Sequence, residues 1–236
     1  MKFGVENKTF SGDIEILFDA LQNKEKFSFS KYADGEYEIL INNKITNCDN
    51  WTFDPLIHQV HRQELISSYQ YREEGYYVGI SCPCCVGEKD TKWMRENVGS
   101  QGENLTWANI FVNGNFNFFK NNFILEFGNH DVILVANDDA NINNLPFKVE
   151  EHIGITGTAW RDNFDLVDSL PAKDYRDKLF LLCAGPLGNM LAAKMWEKNK
   201  NNTYIDVGST LNTHLLGLKN RGYLRGAPTL TKICTW

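Results

Sequence analysis

Four short stretches of this chain carry apolar runs without the alternation of a half-exposed strand. They are YYVGISC (76–82), HDVILVAND (130–138), KLFLLCAG (178–185) and TYIDVGS (203–209). Strands of that kind are buried on both faces, as in parallel sheets. KFSFSKY (26–32) and TWANIFVNG (106–114) read as further strands. Between them lie segments with helical spacing. These are 13–24, 90–99, 115–128, 158–170, 186–199 and a long one over 51–75, whose Leu56, Ile57, Val60, Leu65 and Ile66 share a face. Alternating β and α segments predict an α/β fold, an open, mostly parallel sheet flanked by helices. No repeat, linker or low-complexity tail interrupts it, so residues 1–236 read as a single domain.

Composition removes several function classes. The 236 residues are 42% hydrophobic, enough for one substantial core. The formal net charge is -6, with no basic block, so nucleic acid is not an expected partner. The same balance argues against unaided docking on an anionic membrane. No apolar run reaches the length of a transmembrane segment, and MKFGVENKTFSGD lacks the apolar region of a secretory signal. Six cysteines are too sparse for a disulfide scaffold. Together these predict a cytoplasmic, reducing environment.

In open parallel sheets ligands bind outside the carboxyl ends of the strands. The segments there are DGE, CPCC, NGN, NDDAN, AGPLG and DVGST. In AGPLG, Pro186 is preorganised as a first helical residue, and the free N–H groups behind it suit a phosphate. Gly185 and Gly188 would let a diphosphate approach the backbone; a tight strand–helix turn without a ligand explains the same residues. Asp206 is either a loop acid bonded to backbone amides or a contact to ribose, sugar or metal. Ser209 or Thr210 is placed to cap a helix from Leu211. SCPCCVG brings Cys82, Cys84 and Cys85 together without an obvious fourth zinc ligand, and adjacent cysteines seldom share one ion. Small residues shaping a strand-end pocket are the preferred reading. His58 and His61 lie three apart, but no acid or cysteine follows nearby, which favours two surface or half-buried histidines. No G-x-S-x-G and no HExxH is present.

FSKYADGEYEIL (29–40) holds two acids around a glycine, Asp34 and Glu36. If the backbone is extended there, Asp34 and Glu36 project to the same side. They could then face one Mg²⁺ or Mn²⁺ ion, with Gly35 leaving room for a ligand. Alternatively Asp34 caps a helix and Glu36 is a first-turn acid favoured by the helix dipole. The pattern alone favours the helix, because such triplets commonly mark turns.

The order of these motifs resembles the GT-D-type glycosyltransferases, whose Rossmann-like fold is distinct from the GT-A and GT-B folds. That family carries R-Y-G-D-G-E near its N-terminus, a late strand ending in AGP before a helix, and a strand IDIGS. Here the matching stretches are Lys31-Tyr32-Ala33-Asp34-Gly35-Glu36, CAGPLGNMLAAKMW and TYIDVGSTLN. TWANIFVNGNF and ILVANDDANINNLPF also look like family segments, so the resemblance spans most of the chain. Lys31 replaces an arginine, keeping charge but losing the bidentate fork. Ala33 replaces a glycine and restricts the backbone before the acids.

The resemblance implies a metal-dependent hexosyltransferase that moves a sugar from a UDP- or dTDP-sugar to a glycan, glycolipid or glycoprotein acceptor. Asp34 and Glu36 would hold Mn²⁺ or Mg²⁺ and the diphosphate. Lys31, Tyr32, Gly35, Gly185, Pro186, Leu187, Gly188, Asp206, Gly208 and Ser209 would line the nucleotide-sugar site. Apart from the resemblance, an acid among the strand-end loops, Asp138 or Asp139, could act as base toward the acceptor hydroxyl. Two other classes compete: a noncatalytic nucleotide- or sugar-binding module of a glycan-assembly complex, and a zinc-stabilised interaction protein built on Cys82, Cys84 and Cys85.

Overall fold

The computed structural model describes residues 1–3, 10–49, 51–226 and 228–234. Its strands are β1 Ser28–Tyr32, β2 Ile45–Thr46, β3 Thr52–Phe53, β4 Tyr76–Ile80, β5 Leu105–Trp107, β6 Asp131–Asn137, β7 Val149–Ile155, β8 Lys178–Leu182 and β9 Thr203–Asp206. β2 and β3 pair as a small antiparallel hairpin. The other seven form one sheet in the order β5-β4-β1-β9-β8-β6-β7, and every pairing in it is parallel. The expected α/β architecture is therefore observed, with helices on both faces.

The apolar runs explain the layering. Along β6, Val132, Leu134 and Ala136 enter one core cluster while Ile133 and Val135 enter the other. Each face needs its own cover. One is covered by the helix Pro186–Lys198, almost wholly buried, together with the helix Gln59–Gln70. The other is covered by the helix Phe10–Gln22 and a Phe-rich helical stretch holding Phe119, Phe123 and Phe127.

The chain runs from β1 through β4 to β5 at one edge. It then crosses to β6 and β7 and returns inward through β8 and β9 to lie beside β1. The first and last strands of the sheet thus lie side by side in its middle, and in such sheets ligands bind in a crevice outside the carboxyl ends of the strands.

Four expectations are corrected. The helix expected over 51–75 spans only Gln59–Gln70, because Thr52–Phe53 is a strand and Asp54 Oδ1 accepts the Leu56 N–H (2.9 Å) in a turn. Leu56, Ile57 and Val60 are consequently exposed, and only Leu65 of the expected face is fully buried. β7 had no sequence signal, since VEEHIGI is an edge strand whose polar residues interrupt the apolar run. The segment 158–170 forms two short helices, Ala159–Asp162 and Leu166–Ser169. Neither Ser209 nor Thr210 caps a helix at Leu211; a 3-10 turn over Gly208–Leu211 leads into Asn212–Leu215.

Candidate functional site

A cavity of about 500 Å³ opens at the carboxyl ends of the strands. The segments after β1, β5, β6, β7, β8 and β9 contribute to its walls. The β2–β3 hairpin adds Asn47, Cys48, Asp49 and Trp51, and the C-terminal segment adds Asn220, Arg221 and Tyr223.

The DGE triplet is helical from its first residue. A seven-residue helix spans Asp34–Leu40, with Ala33 at the N-cap in extended conformation. The same-side geometry of an extended chain therefore does not apply, and Asp34 is the first helical residue instead of the cap. At 100° per residue the two acids diverge around the axis. Asp34 is exposed, whereas Glu36 turns inward and is 8% exposed. Glu36 Oε2 accepts the Ala33 N–H (3.0 Å), satisfying one orphan donor of the first turn. Both acids still line the cavity, because it lies at the end of the helix. Gly35 serves a different purpose from the one expected: a Cβ there would stand 2.9 Å from the Trp51 indole, which already fills that space.

Behind the helix lies a cluster of charge. Asp206, 2% exposed, accepts the Gly208 N–H at Oδ1 (3.0 Å) and, at Oδ2, the Lys31 N–H (3.2 Å) and Asn189 Nδ2 (3.3 Å). It is thus the loop acid bonded to backbone amides. It fixes the ends of β1 and β9 against each other. Asn189 also donates to Ser30 Oγ (2.9 Å) and the Lys31 carbonyl (2.8 Å), tying the buried helix to β1. Gly208 has φ +54, and a Cβ there would run into the Lys31 ammonium.

Burial dominates the titration of this cluster. It pushes the Glu36 carboxyl up to about 7, opposed by Lys31 and reinforced by the negative charge of Asp206. Burial likewise raises Asp206 against the pull of Lys31. Burial pulls the Lys31 ammonium down, but Asp206 and Glu36 outweigh it and leave it raised. Carboxylates are the donors a hard divalent cation takes, and here Asp34 is exposed and Glu36 buried. A cation beside Glu36 favours the ionised form that burial opposes.

The remaining expected residues divide. Gly185 lines the cavity with φ +53, and Gly208 and Ser209 line it as well. Pro186, Leu187 and Gly188 are buried in the packing of their helix instead. A Cβ on Gly188 would sit 3.4 Å from Leu182 Cβ, so that glycine serves close helix–sheet approach. Tyr32 is in the core, its ring 4.7 Å from that of Tyr69. Asp138 and Asp139 are exposed and stand outside the cavity lining, although Asn137 and Ala140 belong to it. His58 and His61 pack on Trp160, with ring centroids 5.6 and 5.5 Å away, and burial lowers the pKa of both.

Sequence reasoning missed the hairpin and the C-terminal segment. Arg221 pairs with Asp49, and Asn220 Nδ2 donates to Asp49 Oδ1 (2.7 Å), so the two segments meet over the cavity. Tyr223 OH shares a hydrogen bond with Ser209 Oγ (2.8 Å). No strand-end motif marks these residues; the pairing of Arg221 with Asp49 is long-range and leaves no local pattern.

No family model matches the chain, and no curated protein does. Its fold does match solved structures. One is described as a new glycosyltransferase (DUF1792) from Streptococcus sanguinis. It aligns with a TM-score of 0.61 at 13% identity, over 91% of this chain and 84% of the other. A second is described as the highly conserved domain of unknown function 1792 with a distinct glycosyltransferase fold. It aligns at 0.60 and 14% identity, over 91% and 81%. A selenomethionine-substituted structure of the same domain aligns at 0.59. The chain shares the fold of these structures, a distinct glycosyltransferase fold in the second.

Proposed function

We propose that this chain is a metal-dependent glycosyltransferase of the GT-D type. It would move a sugar from a UDP- or dTDP-sugar to a glycan, glycolipid or glycoprotein acceptor. The observation that carries this reading is the cavity at the carboxyl ends of the strands. It draws Lys31, Asp34, Glu36, Gly185, Gly208 and Ser209 to one opening in a chain whose fold matches glycosyltransferase structures.

A Mg²⁺ or Mn²⁺ ion held by Asp34 and Glu36 would supply positive charge to the leaving diphosphate. The residues themselves do the rest. Lys31 and Arg221 are cations on the cavity wall and favour the anionic donor. Gly185 and Gly208, both at positive φ, hold the turns that let Trp51 and Lys31 pack against the backbone at the cavity. Asp206, buried behind the lining, positions Lys31 and the Gly208 turn. The exposure of Asp138 and Asp139 outside the lining gives no support to a base at either residue.

Calorimetric titration with UDP- and dTDP-sugars, with and without Mn²⁺, tests this. Absence of binding and turnover with every nucleotide sugar would sink it. Binding without turnover would favour the noncatalytic module. Unchanged metal-dependent turnover in Asp34→Asn combined with Glu36→Gln would remove both acids from the site.

A further inference from the structure

Cys82, Cys84 and Cys85 do have a fourth partner. Cys234, from the far end of the chain, brings its sulfur into the same place, and all four sulfur atoms lie within 4.8 Å of one another. We propose that these four cysteines bind one structural zinc ion, which clamps the C-terminal segment to the end of β4. This inference stands independently of the transfer reaction.

The local backbone is built for it. Cys82 ends the run after β4 in extended conformation, and Pro83 starts a four-residue helical turn, Pro83–Val86. The Cys85 and Val86 N–H groups both donate to the Cys82 carbonyl (3.0 and 3.2 Å), which fixes the turn. That turn sets Cys84 Sγ and Cys85 Sγ 4.0 Å apart, so adjacent cysteines here do face a common point. A tetrahedral tetrathiolate with Zn–S near 2.3 Å has edges of about 3.8 Å. Cys82 Sγ and Cys84 Sγ, 2.8 Å apart, need to open by about 1 Å to match that edge.

The surroundings suit two net negative charges on such a centre. Asn109 Nδ2 donates to Cys85 Sγ (3.0 Å). Lys232, two residues from Cys234, donates to the Cys84 carbonyl (2.7 Å). Cys82 and Cys234 are buried against Trp107, while Cys84 and Cys85 are exposed. One side of the cluster is thus closed by protein and the other open for entry of the ion. Four thiolates select a soft or borderline metal, and four sulfurs this close enclose one ion. A disulfide would use only two of them.

The site also touches the cavity. Asn109 lines the cavity while bonding Cys85. The Gly114 N–H donates to the Lys232 carbonyl (3.0 Å), one residue beyond the lining residue Asn113. The ion would therefore hold one wall of the cavity in place.

Elemental analysis of the full chain, expressed with supplementary zinc and purified under reducing conditions, tests the assignment. One zinc per chain is expected, retained through dialysis. Titration with an organomercurial should release it together with four thiols. Cys234→Ser should lower retention at least tenfold, and Cys48→Ser should leave it unchanged. Cobalt substitution of the unaltered chain should give the ligand-field and charge-transfer bands of a tetrahedral tetrathiolate. That spectrum decides the matter if Cys234→Ser does not fold. Four free thiols without metal, a disulfide between any two of these cysteines in place of zinc, or iron instead of zinc would each overturn the proposal.

Discussion

Two clusters at the same end of the sheet are built on opposite principles. The charged cluster of Lys31 and Asp206, on β1 and β9 in the middle of the sheet, and of Glu36, on the helix after β1, is packed on several sides. The cysteine cluster stands beyond β4 and is completed by a C-terminal segment whose described residues form no strand or long helix. The first is buried and holds acids in a place that resists their ionisation. The second gathers sulfur atoms at a spot where apolar packing is thin. A rigid frame can carry electrostatic strain for chemistry, while a loosely packed edge needs a cross-link to stay ordered.

The largest expected effect tests the functional half of that contrast. Asp34→Asn should reduce kcat/KM for a nucleotide sugar by about 100- to 1000-fold, the scale of losing a charge-stabilising group. Thermal stability should hardly change, because Asp34 is exposed. A large fall in Tm, read by calorimetry, would mean that the residue supports the fold.

Gly208→Ala tests the rigidity of the charged cluster. The residue has φ +54 and its Cβ would meet the Lys31 ammonium, so denaturant titration should show a loss of about 1–3 kcal/mol. A neutral result would mean that the end of β9 yields easily, and the contrast would weaken.

Glu36→Gln should act in the opposite direction on stability. The folded pKa, about 7, lies above the usual carboxylate value. Between the unfolded and folded values the native state therefore binds the extra proton, and wild-type stability falls as pH rises through that window. Above pH 7 the buried ionised form opposes folding, and glutamine removes that charge while its carbonyl can still accept the Ala33 N–H. The substitution should stabilise the chain by about 1–3 kcal/mol at pH 8 and give no gain near pH 4. Loss of turnover alongside a higher Tm would mark a functional acid held at a cost in stability. A lower Tm at pH 8 would refute it.

The smallest effect is expected at the exposed apolar patch. Leu56→Ser should change stability by no more than about 0.5 kcal/mol, since Leu56 is 90% exposed. A greater loss by thermal unfolding would mean that the patch is covered in solution.

Much of the frame was legible in the chain itself. Runs such as VILVA and LFLL have no polar residue to face water, so they specify strands covered on both sides and hence a parallel sheet. The helix after Gly185 was equally plain, because Pro186 and the apolar residues after it satisfy local rules. β7 was hidden because an edge strand tolerates Glu150, Glu151 and His152. The helix before Gln59 was overread because periodicity ignores the Asp54-Pro55 turn and the pairing of β3 with β2.

At the candidate site the division is sharper. The sequence alone determined that two acids, a glycine-rich turn and a cysteine cluster would follow strands, since each depends on neighbours within a few residues. Only the tertiary structure decided which of them meet. It turned Asp34 outward and Glu36 inward, put Tyr32 and Pro186 into the core, and set Asp206 behind Lys31. It also brought Arg221 to Asp49 and Cys234 to Cys82. Local periodicity fixes which face a residue presents, but contacts between distant segments depend on strand order and on how the chain closes over the sheet.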